Sequence, residues 1–219
     1  ADGALRIEDL APLLGPKTRI VTLSLVSFLN GFMIDLKAVA GTVRKHSDAL
    51  LALDVTQALG RIPVDLHDVD LIVSSTHKWI LASHGGGLVG VPAARAADWT
   101  VPAGGWFNLE DPFGPQRFEQ AISKPGAAGF TVGMPNYPAV YAIRAALEYL
   151  RAIGVGPIDA ATRPLVQQCL AGLRQLPVEV LTPDEPEHLA GIVAFRHPRS
   201  DELQQRLHRA NIHVMCHAG

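Results

Sequence analysis

The chain's pattern predicts an α/β fold organised on a mainly parallel sheet. Three observations carry the expectation. Short, continuous apolar runs rich in β-branched residues recur between residues 18 and 91, as strands covered on both faces do. A segment with helical spacing separates the first two runs. Polar side chains gather where the runs end, at the edge where open α/β sheets hold ligands.

The elements follow in order. T-R-I-V-T-L-S-L-V-S (18–27) predicts a strand buried on both faces. Residues 35–47 predict a helix, with Leu36, Val39, Ala40 and Val43 on one face and basic residues in the last turn, where they suit the helix dipole. Residues 49–55, 70–75 and 86–91 predict three more strands. From 92 to 135 the periodicity gives way to Gly, Pro and aromatic residues, so a long structured loop is expected, of the kind that serves function or meets a partner. Residues 136–154 form the best helix, with Asn136 as N-cap, Pro138 in the first turn and Gly154 as stop. Val140, Ile143, Leu147 and Leu150 make its expected apolar face. An α+β pattern follows: a helix over 157–176, strands over 178–182 and 191–197, a helix over 200–210 capped by Ser200, and a strand over 212–216. A domain boundary is expected within or just after the 136–154 helix, dividing the chain into 1–153 and 154–219. The chain stops three residues after Cys216 without a closing helix, which reads as a truncation.

Composition narrows the function classes. The 219 residues are 48% hydrophobic and 18% charged, as in a folded globular protein. Nineteen basic residues face 21 acidic ones, with no basic block, so neither nucleic acid nor an anionic membrane is an expected partner. I-V-T-L-S-L-V-S-F-L is too short to span a bilayer and lacks the basic flank of a signal peptide. Cys169 and Cys216 make neither a disulfide framework nor a metal pattern, and no metal is expected. A reducing compartment, the cytoplasm, is the expected location.

The chemistry lies at consecutive strand ends: Asp54 and Gln57 after one strand, Ser74 to Lys78 after the next. Singly, each residue reads as an ordinary turn or surface group. Together they divide a task. A carboxylate can hold a protonated heterocyclic nitrogen, hydroxyls and an imidazole on a tight turn can bind a phosphate dianion, and a lysine can form an imine with an aldehyde. Those are the needs of pyridoxal 5'-phosphate.

The stretch D-V-T-Q…S-S-T-H-K (54–78) resembles the central motif of class V pyridoxal-phosphate-dependent aminotransferases, the cysteine desulfurase- and isopenicillin N epimerase-like family: D-x-x-Q, a spacer, then S-x-H-K. The similarity extends over residues 16–39, over R-F-E (117–119) and over 133–150, and so covers nearly the whole chain. It implies the fold type I of these enzymes, with 1–153 as part of the large cofactor domain, including its interface loop and linking helix, and 154–219 as part of the small α+β domain. It further implies that Lys78 carries the internal aldimine and moves protons at the substrate Cα once released. Asp54 would pair with the pyridinium nitrogen, Gln57 would hydrogen-bond the phenolic oxygen, and Ser75 and His77 would bind the phosphate. The Gly85–Gly87 run would let the backbone pass closely after the lysine turn. An amino-acid substrate is implied, with transamination, racemisation or epimerisation, or elimination as the reaction. So is a homodimer whose 99–135 loop meets the other subunit.

The chain also departs from that pattern. Phe28 stands where S-N-x-x-G has its asparagine, leaving Asn30 as the substrate-contact candidate. Met134 replaces the threonine of G-T-P-N, with Thr131 nearby. The family's ring-stacking aromatic residue, its glycine/threonine phosphate loop and its carboxylate-binding arginine lie outside these 219 residues, so the isolated chain is expected to be weakly active or inactive. Three alternatives remain. A cysteine desulfurase or selenocysteine lyase would use Cys216, which comes early in the pattern and follows Met215 where a basic residue is usual. A hydrolase is prompted by H-G-G-G (84–87), but the nearest string to a G-x-S-x-G elbow is G-F-T-V-G (129–133), with a threonine. A non-catalytic fragment of the same fold would leave Lys78 unmodified.

Overall fold

In the computed structural model residues 3–101 and 104–217 are described, so Pro102 and Ala103 of the long loop lie outside them. After a short helix α1 (Ile7–Leu10), the strands β1 (Ile20–Ser24), β2 (Leu50–Asp54), β3 (Leu71–Ser75) and β4 (Gly87–Gly90) form one sheet in sequence order. β1, β2 and β3 run parallel, with Ser24 beside Asp54 and Asp54 beside Val73; β4 returns antiparallel, with Gly87 beside Ser75. The helix α2 (Leu36–His46) makes the β1–β2 crossover, and Asp35 caps it by accepting the Ala38 N–H at 3.0 Å. Its Val39, Ala40 and Val43 are buried as expected, against a core that includes Leu51, Leu53, Val55, Ala58, Ile62 and Val69.

β1 departs from its expected burial. Only Val21 is buried among its five residues, and Ile20 is 58% exposed. Among the described residues it is an edge strand, pairing only with β2.

The long helix is α3 (Tyr137–Ile153), capped by Asn136, whose Oδ1 accepts the Ala139 N–H, and ended at Gly154 with φ +87°. Its inward face is the expected one only in part: Leu150 is buried and Ile143 approaches Gly86. Ala139, Ala146 and Leu150 are buried, whereas Val140 and Leu147 face outward with Tyr137, Tyr141 and Tyr149. Small residues let the helix lie close to the domain, which frees larger apolar ones for its outer side.

α4 (Val155–Leu173) starts directly after Gly154 and packs Val166 and Leu170 with Leu189, Val180 and Val193 into a second, smaller cluster. The strands β5 (Glu179–Val180) and β6 (Phe195–Arg196) pair antiparallel and are shorter than the sequence predicts. In α5 (Ser200–Arg209), Ser200 is the first helical residue, and Arg199 precedes it without a side-chain cap. Residues 212–217 form no strand, contrary to the expectation for 212–216.

One buried carboxylate ties the sheet together. Asp70, 2% exposed at the entrance to β3, accepts the Leu51 N–H at 2.7 Å and the Arg44 guanidinium of α2 at 2.7 Å, and also pairs with Arg95. A charge so buried persists because each oxygen is met by a donor. The variant Asp70→Ala strands the Leu51 N–H and takes the buried carboxylate from both arginines, which keep only their other partners. It should lower unfolding free energy by about 2–4 kcal/mol in urea titration, more than removal of either half-exposed arginine.

Candidate cofactor site

Three strand ends converge. The β1 end lies beside β2 through the Leu25 N–H, donated to the Asp54 carbonyl at 2.9 Å. The β2 end is stitched to β3 twice: the Val55 N–H donates to the Val73 carbonyl, and the Ser75 N–H donates to Thr56 Oγ1, both at 2.9 Å. Asp54, Gln57, Ser75, His77 and Lys78 thus share one edge of the sheet, with Phe28 arriving from the β1 side.

Each side chain is partly committed and partly available. Asp54 Oδ1 accepts the Thr56 N–H at 2.8 Å, an Asx turn that fixes the carboxylate and leaves its second oxygen for a cation. Gln57 Oε1 accepts the Trp79 indole N–H at 3.1 Å. The indole can only donate, so this bond sets the amide's polarity and leaves the NH2 as the available end. Lys78 has no carboxylate partner among the described residues; its Nζ lies 5.6 Å from the centre of the Phe28 ring. The Phe28 ring in turn meets His217 edge-on at 4.8 Å.

The turn that presents Lys78 is closed by Thr76. This residue is completely buried, and its hydroxyl lies 3.2 Å from the Ser83 carbonyl and 3.1 Å from that of Gly86. The Ala82 N–H bonds back to the Thr76 carbonyl at 3.0 Å. Leu81 takes the left-handed conformation, φ +64°, to complete the reversal. At Gly86 a Cβ would stand 2.6 Å from Ile143 Cδ1, so glycine there lets α3 pack onto the turn.

His77 stacks on His84, ring centres 4.0 Å apart. Its imidazole titrates below the ordinary value, first through partial desolvation, then through the charges of His84 and Lys78.

Asn30 stands apart from this cluster. It is buried, its Oδ1 accepts the Phe32 N–H at 3.1 Å, and it lines a cavity with Leu5, Phe32, Leu181, Glu185 and His188. Thr131 and Met134 are exposed on the loop before α3. The G-F-T-V-G string straddles a 3-10 turn (Gly126–Phe130) rather than a strand-to-helix elbow, which removes the hydrolase's nucleophile. Cys216 Sγ lies 3.6 Å from Asp201 Oδ1, and Cys169 is exposed on α4. Sequence reasoning did not assign Thr56, Trp79 and His84 to the site. The signal for them was adjacency to Asp54, Lys78 and the glycine run.

The donor set fits pyridoxal phosphate: an unneutralised lysine, a half-committed carboxylate, an amide NH2, and hydroxyl with imidazole on one tight turn. A mainly parallel sheet carrying this set at its carboxyl edge defines a fold type I pyridoxal-phosphate protein. The aminotransferase class-V family model matches residues 1–219, and the chain belongs to that family.

Among curated relatives, an uncharacterized aminotransferase YcbU of Bacillus subtilis is 27% identical over 96% of this chain and 55% of its own length. A kynureninase of Burkholderia mallei is 26% identical over 91% of this chain and 49% of its own. Among solved structures, a cysteine desulfurase of Thermococcus onnurineus superposes with a TM-score of 0.83 at 22% identity, over 98% of this chain and 53% of that one. The cystine C-S lyase C-DES, in complex with its product cysteine persulfide, gives 0.81 at 26%, over 95% and 56%. The chain spans about half the length of the relatives it matches.

The histidine stack is open to test. His84→Gln removes one source of charge, so the His77 titration midpoint should move upward by NMR. It should stay below about 6.5, because partial desolvation, the larger cause, remains.

Proposed function

We propose that the protein is a pyridoxal-phosphate-dependent enzyme acting on an amino acid, with Lys78 as the residue that binds the cofactor and moves the proton at the substrate Cα. The observation that carries the reading is the convergence of Asp54, Gln57, Ser75, His77 and Lys78 at adjoining strand ends, joined through Thr56. When bound, pyridoxal phosphate supplies an electron sink for the carbanion at Cα. Asp54 holds positive charge at the ring nitrogen, and the Thr56 N–H keeps its carboxylate aimed. Gln57 presents its NH2 to the ring oxygen, while Ser75 and His77 bind the phosphate as a charge-assisted cluster. Lys78, near the Phe28 ring and with no ion pair among the described residues, accepts and returns the proton. Transamination, epimerisation and elimination all begin with that transfer. Asn30, buried and turned into its own loop, is retained as a substrate contact only through the β1-end turn it shapes.

A second reading, cysteine desulfurase or selenocysteine lyase, has one specific observation in its favour. The segment carrying Cys216 reaches the site, because the adjoining His217 packs on Phe28, whose ring faces Lys78.

We also propose the division into a partial large domain, 1–153, and a partial small domain, 154–219, supported by a second apolar cluster built from residues of 154–219 alone. A homodimer is proposed on the apolar side chains that α3 and the loop before it expose, Tyr137, Tyr141, Met134 and Phe118 among them. A cytoplasmic location is proposed on the two free cysteines; no helix among the described residues is long and apolar enough to cross a membrane.

Borohydride reduction after incubation with pyridoxal phosphate should label Lys78, read by peptide mass. The label should vanish in Lys78→Ala and persist in Lys17→Ala. An unlabelled Lys78 would overturn the reading in favour of a non-catalytic module. Tyr141→Asp, placing a charge on the exposed α3 face, should shift sedimentation toward the monomer; unchanged sedimentation of a dimer would move the interface elsewhere.

A further inference from the structure

Gln57 is polarised by Trp79, a residue outside the cofactor's donor set. Its Oε1 accepts the Trp79 indole N–H at 3.1 Å, and Trp79 directly follows Lys78. Trp79 is itself clamped. The Arg61 guanidinium lies 5.6 Å from the centre of its ring, and Arg61 is only 4% exposed. The approach is tight at two glycines. A Cβ on Gly60, where φ is +89°, would stand 2.7 Å from the Trp79 carbonyl oxygen, and one on Gly191 would stand 3.1 Å from Trp79 Cζ2. Arg61 is anchored to α4 by Asp159, at 3.4 Å. Burial lowers the guanidinium's pKa, and Asp159 offsets part of that cost.

We infer that Trp79, held by Arg61, is a positioning residue that fixes Gln57 as a hydrogen-bond donor toward the ring oxygen of the cofactor. A primary amide can present either end, and the two ends act oppositely on an anionic oxygen: the NH2 stabilises it and the carbonyl repels it. Solvent or a flexible neighbour would leave the choice open. The indole N–H has no acceptor capacity and cannot rotate away, so only one orientation of Gln57 satisfies it. The guanidinium over the indole face adds attraction and blocks the ring flip that would withdraw the N–H. The inference rests on the pyridoxal phosphate reading above.

The test has two parts. In the cofactor-free protein, the Trp79 indole N–H signal, one of three in the chain, should shift and exchange faster with solvent in Gln57→Leu. In the cofactor-loaded protein, Trp79→Phe keeps a ring beneath Arg61 and deletes the N–H. The pH midpoint of the bound chromophore should then rise by about half to one unit, the size expected from one misoriented neutral hydrogen bond. The same substitution in the Gln57→Leu background should add nothing further. Arg61→Met, which leaves Asp159 paired with Arg163, should give a smaller rise that also vanishes in that background.

An unchanged midpoint in Trp79→Phe, a rise that persists without Gln57, or loss of borohydride-trapped cofactor in Trp79→Phe overturns the inference. Absence of trapping in the unsubstituted protein is a different result. It removes the cofactor reading, and this inference with it.

Discussion

The buried hydroxyl of Thr76 decides where Lys78 stands. Its single proton is shared between the Ser83 and Gly86 carbonyls, so the eleven residues between β3 and β4 close into one reversal rather than running on into a helix. A burial this complete makes the bond costly to lose, since the Thr76 hydroxyl would be left unsatisfied away from water. The antiparallel return of β4 follows from that closure, because Gly87 can pair with Ser75 only if the turn comes back over the strand it left. The lysine is therefore presented by a rigid turn, and the adjoining glycines let α3 seat against it. Holding a lysine in one place on a mobile loop would cost ordering entropy, which this closed turn avoids.

Much of the site was legible because its chemistry is local. Asp54 and Gln57 are three residues apart on one strand end, Ser75 to Lys78 are contiguous, and parallel pairing of β2 with β3 brings the two groups together without further information. What escaped the sequence depends on direction and depth. Trp79 reads as an apolar residue after the lysine, and only the fold shows that its N–H meets Gln57. The face of α3 was legible only in part for a related reason. Helical periodicity finds Ile143 and Leu150, but the buried side also takes Ala139 and Ala146, which periodicity weighs lightly. β1 reads as a strand covered on both sides because β-branched content reports strand formation rather than neighbour count. The short β5 and β6, and the missing strand after α5, lie where few apolar side chains are buried.

The segment beyond α3 is joined to the site by contacts of unequal strength. His188 bridges to the β1-end turn, stacking on Phe32 at 4.6 Å with its Nδ1 2.7 Å from the Met33 carbonyl, while the Met33 N–H donates to the His188 carbonyl at 2.9 Å. Asp159 of α4 holds the buried Arg61, and thereby Trp79. His217 reaches Phe28 through a single aromatic edge, with Phe28 itself 42% exposed. The first two resist separation. Withdrawing Asp159 would leave a guanidinium uncompensated in a dry environment, a cost of about 3–5 kcal/mol for a buried pair, and breaking the His188 link would expose backbone groups on both sides. The third is worth about 0.5–1.5 kcal/mol, little more than thermal energy. The segment is thus fastened firmly under the Gln57 side of the site and loosely over the Lys78 side.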